Sequence, residues 1–370
     1  MDVAVAGGGL IGLSIAFELA RRGHTVRVYD IAQPARAASW AGAGLLAPYS
    51  EHGAPDLLDA CERALHAYPG FARNAFEASG IDPHLHLDGI LHAATSGAQM
   101  QELERRSQAL RARNVPSTIL DRTAVLSAEP SLSSGVFGAM VVSGEGSVDN
   151  RRLGRALIAA CMQTGVRLIE SQTIAARCNT RRALGVVSDA GFAPADAIVN
   201  AAGAWAAQLA GIPPQYLPAV RPVKGQMIAV EVPRGYVRRP VWTPDVYMVP
   251  RDDGRLLIGA TVEEHGFDAR TTAGGLSHLL DGALRAAPSL DDFSVSEQWA
   301  GLRPATVDGL PYIGRTRLEG LFTATGHFRN GILLAPVTAT AIADAIEGRD
   351  DHFPAFSPSR SEHITRESNG

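Results

Sequence analysis

Asp2-Val3-Ala4-Val5-Ala6-Gly7-Gly8-Gly9-Leu10-Ile11-Gly12 is the stretch that decides the fold, and Thr25-Val26-Arg27-Val28-Tyr29-Asp30 completes it. Residues 2–6 form a short apolar run of the kind a buried strand needs. From Leu13 to Arg22 the apolar positions recur at helical spacing, with Ile15, Ala16, Leu19 and Ala20 on one side and Glu18 and Arg21 on the other. Gly23 stands where a helix closes on a left-handed residue. Strand, glycine turn, helix, strand and acid make one βαβ unit carrying a dinucleotide fingerprint. Gly7 permits the tight turn, Gly9 lets backbone approach a pyrophosphate, and Gly12 lets helix and strand pack closely. The helix N-terminus that follows the turn faces the phosphates. Asp30, eighteen residues after Gly12, is placed to accept from adenosine ribose hydroxyls.

The fingerprint alone does not separate FAD from NAD, and nothing near Asp30 offers a 2′-phosphate site. An NAD enzyme would continue with alternating strands and helices. Here residues 37–47 are instead an Ala/Gly run with Ser39, Ala43, Gly44 and Leu45, small enough for backbone to approach something large and flat. A further strand ends in Gly203 with Trp205, and a second glycine-rich strand end appears near the C-terminus at Gly326. Distant contributions to one site suit the long FAD molecule better. Residues 56–79 and 100–114 read as helices, 84–94 as a hairpin turning at Asp88-Gly89, and 220–260 as a β-rich stretch. The fold expected is therefore α/β, α+β overall: a Rossmann-like FAD-binding domain with an interleaved antiparallel-sheet substrate domain. Residues 1–85, 145–215 and 298–350 are assigned to the first, 86–144 and 216–297 to the second, and 351–370 to a polar tail.

The chain has 370 residues and a formal net charge of −4, so no basic field recruits nucleic acid or an anionic membrane surface. Its longest apolar run, near residues 332–346, contains Pro336 and Asp344 and is too short to span a bilayer. Asp2 stands where a signal peptide would be basic. Three scattered cysteines, Cys61, Cys161 and Cys178, suggest neither disulfides nor zinc. A cytoplasmic protein without metal is expected. His84 and His86 mimic a metal pair but read as a solvated strand face, and Arg151, Arg152 and Arg155 read as a basic helix face. Lys224 is the sole lysine among 34 basic residues, which makes it a position where a slim ammonium stem fits and a guanidinium does not, or a chance survivor.

The sequence resembles the D-amino acid oxidase-like flavoproteins, and within them the glycine oxidases. The resemblance runs from the fingerprint to about residue 348. It is carried by residues 38–48, by Val223-Lys224-Gly225-Gln226, by Tyr247-Met248-Val249-Pro250-Arg251, by Trp299-Ala300-Gly301-Leu302-Arg303-Pro304 with residues 308–314, and by residues 326–336. It implies noncovalent FAD, because no cysteine follows Leu302 where the related sarcosine oxidases attach their flavin. Arg303 matches the family's carboxylate-binding arginine, Tyr247 a hydroxyl that adds a further bond, and Arg329 a second arginine near flavin and substrate. The cofactor contacts implied are Gly7, Gly9, Leu10, Ile11, Gly12, Asp30, Ser39, Ala43, Gly44, Leu45, Gly203, Trp205, Gly301, His327, Arg329, Asn330, Gly331 and Ile332. A helix beginning near Gly331 would turn its positive end to the flavin. His327 either assists oxygen chemistry when protonated or orients its loop.

The activity implied is oxidative deamination of glycine, sarcosine or small D-amino acids by molecular oxygen, supplying the imine of glycine for thiamine thiazole synthesis. A homotetramer is implied in the same way. Two other readings stay open at this stage: a D-amino acid dehydrogenase with another acceptor, and a non-catalytic dinucleotide sensor. Leu45 and Val262 leave the pocket volume, and with it the substrate ranking, undecided.

Overall fold

The computed structural model describes residues 1–31, 33–50, 53–171, 174–349 and 352–360. Its first layer is a six-stranded sheet in the spatial order Tyr312–Arg315, Leu321–Thr325, Ala197–Asn200, Asp2–Ala6, Thr25–Asp30, Arg167–Glu170. All neighbours are parallel except the edge strand Tyr312–Arg315. Asp2–Ala6 lies between Thr25–Asp30 and Ala197–Asn200, and its last four residues are buried, as a strand covered on both faces requires. The parallel strands all end on one side, so the glycine turn, Asp30, Ala201 and Gly326 gather along one rim.

Helix Leu10–Arg21 packs against Asn150–Gln163 and Gly331–Ile346, and Pro55–Ser79 packs against the same two helices. Gly12 lets the helix lie close on the turn and the first strand, since a Cβ there would overlap the carbonyl oxygen of Gly7 and press on Val5. Pro336 sits inside Gly331–Ile346 and cannot donate to the carbonyl four residues back. The hydroxyl of buried Tyr68 donates to that carbonyl, Ile332 O, at 3.2 Å, so the helix continues through the proline. The helix expected to begin near Gly331 does so.

The second layer is an eight-stranded sheet built around the long strands Val220–Glu231 and Val295–Thr306, which are antiparallel over most of their length. Arg255–Gly259, Tyr247–Pro250, Val241–Trp242, Ile90–Ala94, Gly138–Val142 and Ser117–Asp121 continue it. Its own buried cluster includes Leu91, Ile228, Met248, Ile258 and Leu279, separate from the cluster under the first sheet.

Two expectations change. Residues 84–94 are not a hairpin: Leu85–His86 pairs with Gly146–Val148 in a small separate sheet, whereas Ile90–Ala94 joins the eight-stranded one. Asp88-Gly89 is a crossing between sheets, and Gly89 at φ 92° makes the bend. Nor is the stretch after 351 simply polar and loose. Within the described part, 352–360, Phe353 and Phe356 are buried with rings stacked at 5.2 Å. Arg360 pairs with Asp308 at 2.7 Å. Among the described residues no helix is long and apolar enough to cross a membrane.

Candidate active site

Between the two sheets lies a cavity of about 370 Å³. At one end the helix N-terminus opens into it through Gly9, Leu10 and Ile11. Gly9 has no side chain to cap that helix, and the Leu10 N–H is satisfied by Ser39 Oγ at 2.8 Å. Ala38, Ser39, Ala41, Gly42, Ala43, Gly44 and Leu45 form one wall. The small residues serve protein packing as much as a ligand. A Cβ on Gly44 would overlap Val148 O, one on Gly301 would overlap Ala41, and one on Gly42 would come within 2.8 Å of Ile332 Cδ1.

The wall is held from behind by residues the sequence reading left without a role. Buried Arg251 donates to Ala43 O at 2.8 Å and to Asn150 Oδ1 at 2.9 Å. Asn150 Nδ2 donates to Ser39 O at 2.8 Å and Trp40 O at 3.1 Å. Burial pushes the Arg251 guanidinium down to about 10, so it stays charged near neutral pH. Trp299 Nε1 donates to Ala41 O at 2.9 Å. Arg151, expected on a basic face, instead lies 3.7 Å from the Trp40 ring centroid and 4.6 Å from that of Trp299, and pairs with Glu297 at 2.8 Å. These groups meet only through the packing of elements far apart in the chain, so no spacing signal announced them.

At the other end Tyr247, Met227, Gly225, Arg303 and Val262 line the cavity. Arg303 lies across the backbone of Gly225, where any Cβ would overlap the guanidinium, and its Nη1 donates to Thr261 O at 3.1 Å. Gly259 makes equivalent room for the Tyr247 ring, since a Cβ there would fall 2.7 Å from Tyr247 Oη. Trp242 meets Tyr247 edge-on at 5.6 Å. Arg329 closes the cavity from the loop before Gly331–Ile346, its guanidinium 5.2 Å from the Phe328 ring centroid. Phe328 adopts φ 48°, a left-handed conformation uncommon for a bulky residue, held by its N–H donating to Pro304 O at 2.9 Å.

His327 is buried, with Nε2 3.1 Å from Thr338 Oγ1. Burial pushes its imidazole down to about 3, so it is neutral at physiological pH and the option of a protonated His327 falls away. A second cavity of about 760 Å³ adjoins the first and shares Trp242, Thr243, Pro244, Phe328 and Arg329 with it. On its wall Ser50 Oγ donates to Glu145 Oε2 at 2.7 Å and lies 2.8 Å from His92 Nε2, while His92 stacks on Trp242. Burial raises the Glu145 carboxyl to about 7, against bonds from Ser50 and from the Tyr49 and Ser50 N–H groups.

Of the residues expected to touch cofactor or substrate, Gly9, Leu10, Ile11, Ser39, Ala43, Gly44, Leu45, Gly203, Tyr247, Gly301, Arg303, His327, Arg329, Gly331 and Ile332 share the first cavity. Gly7 and Gly12 shape the turn behind it, and Asn330 faces the second. The Asp30 carboxylate reaches back to the turn, accepting from Gly8 N at 2.6 Å. Trp205 packs on Phe267 at 5.5 Å instead. His84 and His86 both pair with Asp252 on the surface, and no group of three metal-binding side chains occurs among the described residues.

The family model described as "FAD dependent oxidoreductase" (DAO) matches residues 2–345. The chain belongs to the DAO family. Among similar DAO proteins, glycine oxidase of Geobacillus kaustophilus is 35% identical over 98% of this chain and 97% of its own length. Its crystal structure superposes with a TM-score of 0.91 over 97% of this chain and 98% of that one. The bifunctional protein ThiO/ThiG of Trichormus variabilis is 36% identical over 93% of this chain but only 52% of its own length, so the chain spans about half of that curated relative. The DAO cofactor fits the residues present. A helix N-terminus with a glycine entrance meets an extended wall of small residues, and a Cβ on Gly9 would begin to crowd that entrance, 3.2 Å from Ser39 Oγ. None of the three cysteines lines the cavity, in keeping with a noncovalent FAD.

Proposed function

We propose that this protein oxidises the amine of a very small amino acid, glycine first, then sarcosine and small D-amino acids. The imine formed hydrolyses to the 2-oxo acid and ammonia, and molecular oxygen is reduced to hydrogen peroxide. The observation that carries this reading is the convergence of Arg303, Tyr247 and Arg329 on the cavity into which the glycine turn opens.

Arg303 offers a planar pair of donors to a carboxylate, the geometry that a slim ammonium cannot supply. The Tyr247 hydroxyl adds a third donor, and Arg329 adds positive charge from the loop before Gly331–Ile346. Leu45, Met227, Tyr247 and Val262 limit how large a group fits on the substrate Cα. Held in this way, the amine needs no protein base once it is neutral, and His327, its imidazole pushed down to about 3 by burial, is a weak one. Bound FAD supplies the two-electron acceptor. The N-terminus of Gly331–Ile346 opens on the same cavity and favours negative charge there.

On this reading residues 1–85, 145–215 and 298–350 hold the cofactor and 86–144 with 216–297 the substrate, a division supported by the two separate buried clusters. The imine of glycine would serve thiamine thiazole synthesis in the cytoplasm, and the protein would assemble as a homotetramer. The similarity to ThiO/ThiG proteins supports the first of these. The test is peroxide release by the purified yellow protein with glycine, sarcosine, D-alanine and D-proline side by side. Glycine matching or exceeding the others supports the proposal. Flavin bleaching without peroxide replaces it with a D-amino acid dehydrogenase using another acceptor.

A further inference from the structure

Lys224, the only lysine of the chain, does not reach the cavity. It is 1% exposed, and its Nζ lies 2.8 Å from Glu263 Oε2. The same ammonium donates to Arg270 O at 3.3 Å, and the backbones of Lys224 and Glu263 exchange bonds at 2.9 and 3.0 Å. Burying an ion pair of this kind is weak evidence for stability alone, because desolvation offsets most of the attraction. What the pair holds is more informative.

The other Glu263 oxygen, Oε1, accepts from Thr261 Oγ1 at 2.5 Å and from Gln226 Nε2 at 2.6 Å. Thr261 Oγ1 accepts in turn from Gln226 N at 2.8 Å. Burial would raise the Glu263 carboxyl, but the bonds from Lys224, Thr261 and Gln226 outweigh it and hold the group below the usual carboxylate range. Thr261 is thus fixed through its side chain, while its carbonyl accepts from Arg303 Nη1 at 3.1 Å. The floor on the other side is Gly225, the residue next to Lys224, over which the guanidinium lies. Lys224 and its neighbour therefore control two sides of the Arg303 side chain. An arginine in place of Lys224 would bring a wide planar head to a site that holds a compact one at 2.8 Å.

We propose that Lys224, Glu263 and Thr261 are positioning residues, the ion pair fixing Thr261 so that its carbonyl sets the orientation of Arg303 and hence the affinity for the substrate carboxylate. This rests on Arg303 being the carboxylate ligand. The variants are Glu263→Gln, Lys224→Met, Thr261→Val and Thr261→Ser, each read for glycine KM, kcat, bound flavin and the Kd of acetate, followed as a perturbation of flavin absorbance. Glu263→Gln, Lys224→Met and Thr261→Val are expected to raise KM and the acetate Kd about tenfold while kcat moves less than about threefold and flavin content is unchanged. Thr261→Ser, which keeps the hydroxyl, is expected to restore both. Should a charge variant not fold, the Thr261 pair, which leaves both charges in place, decides. Unchanged KM and acetate Kd overturn the proposal, and so does a joint fall of kcat, flavin content and melting temperature in which Thr261→Ser is as damaged as Thr261→Val. Wild-type peroxide release is scored first. Its absence strikes the substrate reading, whereas the acetate titration needs no turnover and still decides the positioning claim.

Discussion

At the Gly7–Gly12 end the cavity is shaped by backbone, and at the Arg303 end by side chains laid over glycine backbone and held by hydrogen bonds. The first end is local in sequence: turn, helix N-terminus and acid all fall within thirty residues. The second draws on Gly225, Tyr247, Thr261, Arg303 and Arg329, brought together by antiparallel register and one loop. A Cβ at Gly7 or Gly12 would meet backbone that has nowhere to go, whereas the hold on Arg303 degrades in steps as supporting bonds are removed.

The largest effect is expected from Gly12→Val. A branched side chain would collide with Gly7 O behind the turn, so soluble yellow protein should be lost outright, as expression and flavin absorbance would show. Next comes Arg303→Leu. Removing a charged, hydrogen-bonded ligand should lower kcat/KM for glycine by roughly a hundred- to a thousandfold while flavin stays bound. If flavin is lost as well, the two ends are not independent and the contrast collapses.

Glu145 sharpens the comparison by pH. Its folded-state value, about 7, lies above the ordinary carboxylate value of 4.5. Its contribution to stability is therefore fully present below the unfolded value and is lost as pH rises through the folded one. Wild-type stability should decline by about 1–3 kcal/mol between pH 4.5 and 7.5 from this group. Glu145→Gln should flatten that slope in denaturant titrations run across the same range. A slope that survives the substitution assigns it to other groups. The smallest effect is expected for Tyr247→Phe: loss of one hydroxyl bond, on the order of 1 kcal/mol, should raise glycine KM about fivefold and leave melting unchanged. A loss of two orders of magnitude would instead give Tyr247 a share in the chemical step.

Legibility followed the same divide. The turn, its two flanking strands and the C-terminal helix were readable because their periods and glycines are consequences of local backbone geometry. Tyr247 and Arg303 were reached through resemblance, and both line the cavity. Arg251, Asn150 and the Trp40–Arg151–Trp299 stack were not legible, since each acts across more than a hundred residues of chain. Asp88-Gly89 misled for a related reason. The pair favours a turn equally well whether the chain returns along the same sheet or crosses to another.

The order of strands in the six-stranded sheet has a consequence for synthesis. Asp2–Ala6 sits at the middle, yet one neighbour, Ala197–Asn200, and the strand beyond it, Leu321–Thr325, are made long afterwards. At the usual pace of translation the interval to the last of these is roughly 15–60 s. Through that time this central strand has only Thr25–Asp30 to pair with at first, and its other edge stays open. Yield in a host cell should therefore respond to chaperone supply and growth temperature more than to substitutions at the Arg303 end of the cavity.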